Sequence, residues 1–189
     1  MPSKSWFVLD GSISVISSLF KIIDRNIGSL NIEDLKKPFS CVATEKETGR
    51  EKVFSSGSVA RALSASSSYP PVLKPVEIDG VNYIDGAFVN AIPADLVKKM
   101  GADYIIGIDI SVQKTKKSAI DKIIVSDIKW SENPREKGYK YSDIMLHPDL
   151  TGYTSFSFNQ GVEMFDIGYK CAIEHMAQIK KDMERLKKK

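Results

Sequence analysis

The stretch from Val76 to Asp109, VEIDGVNYIDGAFVNAIPADLVKKMGADYIIGID, constrains this chain most, because it reads as hairpin, loop, helix and buried strand in immediate succession. Asp79-Gly80 lies between two short apolar runs, Val76-Glu77-Ile78 and Val81-Asn82-Tyr83-Ile84, which predicts a two-residue hairpin turn. Asp85-Gly86 comes one strand later, where no second hairpin follows. A carboxylate there sits on a sharply turned backbone, since glycine accepts φ values that other residues avoid, and it can be aimed into a cleft. Ala91-Ile92-Pro93-Ala94-Asp95-Leu96 then predicts a helix start with proline near the first turn. Ala102 to Asp109 then predicts a core strand ending at Asp109.

With 189 residues and 42% hydrophobic content, the chain is long enough for one domain with a sizeable core. The net charge of +3, from 27 basic and 24 acidic residues, gives no support to nucleic-acid binding. Cys41 and Cys171 are far apart and only two histidines are present, so no metal-ligand spacing emerges and buried free thiols are expected. No apolar run approaches a membrane span and the N-terminus does not read as a secretory signal. The default expectation is a cytoplasmic protein, with peripheral membrane contact left open.

Apolar residues from Ile13 to Ile27 fall at spacings of three and four, predicting an N-terminal helix, and Asn31 is placed to cap a short turn before Pro38. Phe39–Thr44 and Arg50–Phe54 predict a hairpin. Gly57 opens a helix that dissolves into Ser66-Ser67-Ser68. None of these serines stands in the G-x-S-x-G pattern of a nucleophile elbow, nor does any other serine in the chain, so the cluster reads as turn chemistry. Gln113–Lys117 reads as a solvated loop, Ile120–Ile128 as weakly helical, and Trp130–Lys140 as a surface connection. A short strand at Ser142–Leu146 precedes His147-Pro148-Asp149; His147 and His175 are weaker candidates for a general base. From Gly161 to Leu186 a long helix carries Phe165, Tyr169, Ala172, Met176, Ile179, Met183 and Leu186 as a heptad-like seam, expected to pack on its own domain. The terminal Lys187-Lys188-Lys189 reads as a solvated end.

Several ordered pieces, Ala65-Ser66-Ser67-Ser68-Tyr69-Pro70, Val76–Gly80, Ile84-Asp85-Gly86-Ala87, Asn90-Ala91-Ile92-Pro93 and Gly101-Ala102-Asp103, together resemble the second half of the patatin-like acyl hydrolases. The resemblance runs from about Ile32 to the end of the terminal helix. It implies an α/β fold, a three-layer α/β/α sandwich, present here as an incomplete portion with a mainly parallel core sheet and a long C-terminal helix. The whole of 1–189 then reads as one incomplete domain: a poorly matched helical segment at 1–38, the hairpins and Asp-Gly core at 39–110, and the C-terminal strand and helices at 111–189.

In the resembled family the aspartate of the Asp-Gly-Gly/Ala motif partners a nucleophilic serine. That implies a catalytic-base role for Asp85, with Gly86 supporting the turn, in hydrolysis of lipid esters. The family's glycine-rich oxyanion motif and serine elbow are absent from this sequence. The chain alone is therefore expected to be inactive, without cofactor or metal, and to need a complementing N-terminal chain or to self-associate. A non-catalytic lipid-binding or protein-interaction module is the alternative.

Overall fold

The computed structural model describes residues 23–27, 29–70, 73–111, 131–153 and 158–188. They fall into two compact units, one reaching to Ala91 and including 131–134, the other comprising 92–111 and the residues from Arg135 onward. The division thus comes within the 39–110 block. Residues 23–27 are helical; the predicted helix before them, the loop at 113–117 and the segment 120–128 lie outside the described residues.

The first unit is built on an antiparallel sheet of order β2-β1-β4-β3. Its strands are β1 (Cys41–Glu45), β2 (Glu51–Phe54), β3 (Val76–Ile78) and β4 (Val81–Asp85). Both predicted hairpins form. At the β3–β4 turn Asp79 and Gly80 take φ of 52° and 78°, the left-handed pair that matches the twist of a tight hairpin. Helix α1 (Val59–Ser66) packs on β1, β3 and β4; Ser58 caps it by accepting the Arg61 amide at 3.3 Å. Asn31 precedes a 3-10 turn at Ile32–Asp34, but its side chain donates to Asp34 Oδ2 at 3.2 Å, so it does not cap the turn as expected.

Alternation along β1 explains why it is buried on both faces. Cys41 and Ala43 join Ile32, Phe54, Val59 and Ala62 in the core cluster, where Phe54 and Tyr83 meet edge to face with centroids 5.2 Å apart. Val42 and Thr44 point the other way and are equally buried. Burial pushes the Cys41 thiol up to about 11, against a lowering by its hydrogen bond with Ser66, so the thiol stays protonated.

In the second unit, helix α2 (Ala94–Lys99) starts after Pro93, as predicted, and packs against α3 (Glu136–Tyr141). Helix α3 takes up the second half of the surface connection expected at Trp130–Lys140, whose described residues are mostly exposed. Gly138, a poor helix former, is buried against Ile92, whose Cβ lies 2.5 Å from where a Gly138 Cβ would stand. Close packing on α2 overrides a local propensity that sequence alone reads as loop.

Strands β5 (Ile106–Ile108) and β6 (Ile144–Leu146) pair in parallel. Parallel pairing among the described residues is confined to these two; the larger sheet is antiparallel. Strand β5 is also not the fully buried strand expected, since Ile106 and Ile108 are 45% and 53% exposed.

Helix α4 spans Gly161–Leu186, the predicted bounds. The heptad-like seam is packed only in part: Cys171 beside it is buried and Ala172, Met176, Ile179 and Leu186 are half-buried, while Phe165, Tyr169 and Met183 are exposed. The helix contacts β6 and the turn before it, on its own unit. Both cysteines are buried and free, as expected. Among the described residues no helix is long and apolar enough to cross a membrane.

Candidate active site

Asp85 is the last residue of β4 and the cap of the 3-10 turn Gly86–Phe88. Its position is fixed from four sides. Its amide donates to the Ser68 carbonyl at 3.0 Å. Its carbonyl accepts the Thr44 hydroxyl at 2.8 Å, and Ala43 faces it across β1. Its Oδ1 accepts the Ala87 amide at 2.8 Å. The other carboxylate oxygen has no hydrogen bond among the described residues, which leaves one lone-pair face of a half-buried acid available. Burial raises the Asp85 carboxyl above its ordinary value, partly offset by the Ala87 amide, which favours the ionised form.

The following glycine is required for a reason different from the one its sequence suggests. Gly86 is not among the left-handed glycines of the structure. A Cβ at this position would run into the Val42 carbonyl, and the Val42 Cβ would lie 3.2 Å away. The 3-10 turn is thus pressed onto the outward face of β1, and only a residue without a side chain fits. The turn continues through amides of Val89 and Asn90 that both donate to the Gly86 carbonyl, at 3.1 and 2.9 Å. Asn90, buried, reaches Glu51 Oε1 with its Nδ2 at 3.1 Å, which ties the end of the turn to β2. Tyr69 stacks on Phe88 with centroids 5.4 Å apart, covering the turn from the end of the serine cluster.

Within the serine cluster, Ser68 makes local backbone contacts. Ser68 is buried, and its hydroxyl donates to the Ser64 carbonyl at 2.7 Å while its own carbonyl holds Asp85. Sequence reasoning missed Ser68, Thr44 and Val42 as the positioning residues of Asp85. The one available signal was Thr44, a hydroxyl directly after the apolar run Cys41-Val42-Ala43.

The histidines play other parts. His147 belongs to the second unit, where it stacks on Tyr139 with centroids 5.8 Å apart and has no hydrogen bond among the described residues. His175 donates from Nδ1 to the Cys171 carbonyl at 2.8 Å, a contact within α4. Among the described residues no group of three or more His, Cys, Asp or Glu side chains could hold a metal.

The second unit contains a buried acid of opposite character. Asp109 accepts hydrogen bonds from the Ser111 amide at 2.9 Å, Arg135 Nε at 3.2 Å and the Tyr139 hydroxyl at 2.8 Å. Burial acts to raise its carboxyl, but these donors and the Arg135 charge outweigh it and hold the group below its ordinary value. Every oxygen of Asp109 is engaged, so it reads as an anchor for the start of α3.

Comparison with known proteins agrees with the motif reading. The chain is 36% identical over 113 residues to patatin-like phospholipase domain-containing protein 7 of Mus musculus, covering 58% of this chain and 8% of that protein. It is 34% identical over 97 residues to neuropathy target esterase sws of Drosophila melanogaster, covering 49% of this chain and 7% of that protein. To an uncharacterized NTE family protein of Mycobacterium bovis it is 34% identical over 109 residues, covering 55% and 30%. The chain therefore spans less than a third of the length of these relatives. A model of the patatin-like phospholipase family matches residues 3–98, beginning before the resemblance that starts at Ile32 and ending within α2. Because that match takes in about half of the chain and encloses the clamped Asp85-Gly86 turn, this chain belongs to the patatin-like phospholipase family.

Proposed function

We propose that this chain supplies the base half of a serine-aspartate dyad that hydrolyses lipid esters, with Asp85 as the base. The serine and oxyanion donors come from outside these residues. The observation that carries the reading is the state of the Asp85 carboxylate: held at Oδ1 by the Ala87 amide, unbonded at its other oxygen among the described residues, and made more basic by burial. A general base needs a free lone pair and a raised pKa together. The names of two relatives, a phospholipase domain protein and an esterase, support ester hydrolysis as the reaction class.

In the assembled site the serine oxygen attacks the ester carbonyl as Asp85 takes its proton, and backbone N-H groups hold the oxyanion. The alkoxide leaves with the proton returned by Asp85, and water then releases the acyl group by the same route. Contact with lipid would be peripheral.

Strand β5 supports the need for a complementing segment. Parallel strands are ordinarily covered on both faces, yet Ile106 and Ile108 of β5 expose apolar side chains from one side of the strand, and Ile110 just beyond it is exposed as well. A strand-bearing segment from another chain, or a second copy of this one, would cover them. This chain alone should not turn over a short-chain nitrophenyl ester. Mixed with a patatin-like segment carrying the glycine-rich motif and the G-x-S-x-G serine, it should gain activity that Asp85→Ala abolishes. Complemented activity that survives Asp85→Ala would sink the assignment.

A further inference from the structure

Helices α2 and α3 enclose an open cavity of about 610 Å³ in the second unit. Lys98 and Lys99 line it from α2, Lys137 and Lys140 from α3, with Asp95 and Tyr141 between them. Glu136 at its rim brings the formal account to four cations against two carboxylates, an excess of two positive charges in one concavity. The Asp95 side chain is 7% exposed, and Lys99 and Lys137 each place Nζ 3.6 Å from its Oδ2.

That geometry divides the lysines by role. Asp95 neutralises part of the charge of Lys99 and Lys137 and holds both side chains toward the cavity, so less of their freedom remains to be lost on binding. Lys98 and Lys140 have no carboxylate within ion-pair distance among the described residues. The Lys140 ammonium lies 5.5 Å from the Tyr141 ring centroid, which keeps it over the cavity wall.

We propose that this cavity binds a phosphate monoester group, with Lys98 and Lys140 as the principal contacts and Lys99 and Lys137 as preset donors. Compact ammonium groups arriving from several directions suit a tetrahedral dianion, each offering N-H donors to a different oxygen. A planar carboxylate is better matched by the arginine fork, and no arginine lines the cavity. The volume admits a single small headgroup. This inference is independent of the role assigned to Asp85, which belongs to the other unit.

The test titrates the 189-residue chain with inorganic phosphate, following backbone amide NMR shifts of residues 94–99 and 136–141. In parallel, phosphatidylcholine vesicles with and without phosphatidic acid are sedimented with the protein. The variant is Lys98→Gln/Lys140→Gln, and the control is Lys180→Gln/Lys181→Gln on α4, which removes the same charge elsewhere.

Saturable shifts in these segments, weakened about tenfold or more in Lys98→Gln/Lys140→Gln and little changed in the control, support the site. If phosphatidic acid vesicles are lost by the same variant, the occupant is a lipid headgroup; if vesicle binding does not depend on the two lysines, it is a soluble phosphate ester. Absence of saturable shifts, or equal weakening in the control, overturns the proposal. Because Lys98 and Lys140 are exposed, the double variant should fold; an unchanged amide spectrum away from the cavity verifies it.

Discussion

The Val42 carbonyl occupies the space that a side chain on Gly86 would need, and this contact presses the turn after Asp85 onto the sheet. The carboxylate is aimed by the strand beneath it as much as by its own loop. Gly86→Ala should therefore lower stability by about 1–3 kcal/mol, the range for forcing extra atoms into a packed site. Gly80→Ala should also destabilise, for the separate reason that Gly80 has φ of 78°. Urea denaturation of both variants checks this; an unperturbed Gly86→Ala midpoint would show that β1 yields readily.

Asp85 should reduce stability near neutral pH. Burial raises its folded-state pKa above the unfolded value, so the folded chain binds the proton more tightly. Its stabilising contribution is fully present below the unfolded pKa and is lost as pH rises through the folded one. Asp85→Asn should accordingly raise Tm at pH 7, with the gap from the parent closing as pH falls below the ordinary carboxylate range. A gap that widens on acidification would contradict the assigned environment.

Asp109 should show the reverse dependence. Its donors hold the folded pKa low, despite burial, so its contribution is present above the unfolded value and lost as pH falls through the folded one. Asp109→Ala leaves the Tyr139 hydroxyl and Arg135 without their acceptor and should cost on the order of 2 kcal/mol at pH 7. The half-exposed guanidinium keeps this below the cost of a fully buried pair. Comparing unfolding of the variant and parent at pH 7 and in acid should show the difference shrinking.

Thr44→Val removes the hydroxyl that holds the Asp85 carbonyl while keeping the side-chain shape. Stability should fall by about 1–2 kcal/mol, because the carbonyl loses a buried donor. In a complemented enzyme, Thr44→Val should lower kcat more than it raises KM, since the base is displaced without a substrate contact being removed.

Along α4, Phe165→Ala and Tyr169→Ala should each change stability by no more than about 0.5 kcal/mol, since their side chains are exposed. Ile179→Ala, on the more buried side, should cost more. Equal losses at Phe165 and Ile179 would show the seam packed along its whole length.

Much of this molecule was legible in its residues because the information is local. Asp79-Gly80 can form a tight hairpin without help from distant segments, Gly57 and Pro93 stand just ahead of helices through their own backbone chemistry, and the spacing of apolar residues by three and four marks out α4. The place of Asp85 at a strand end was readable for the same reason. Nonlocal contacts decided the remainder. Gly138 is helical because Ile92 packs against it, α4 covers only part of its seam because β6 meets it over part of its length, and Asp85 is clamped by Thr44 and Ser68, which approach it only when β1 and α1 meet β4. A sequence records which residues could make such contacts; the folded backbone alone brings them within hydrogen-bond range.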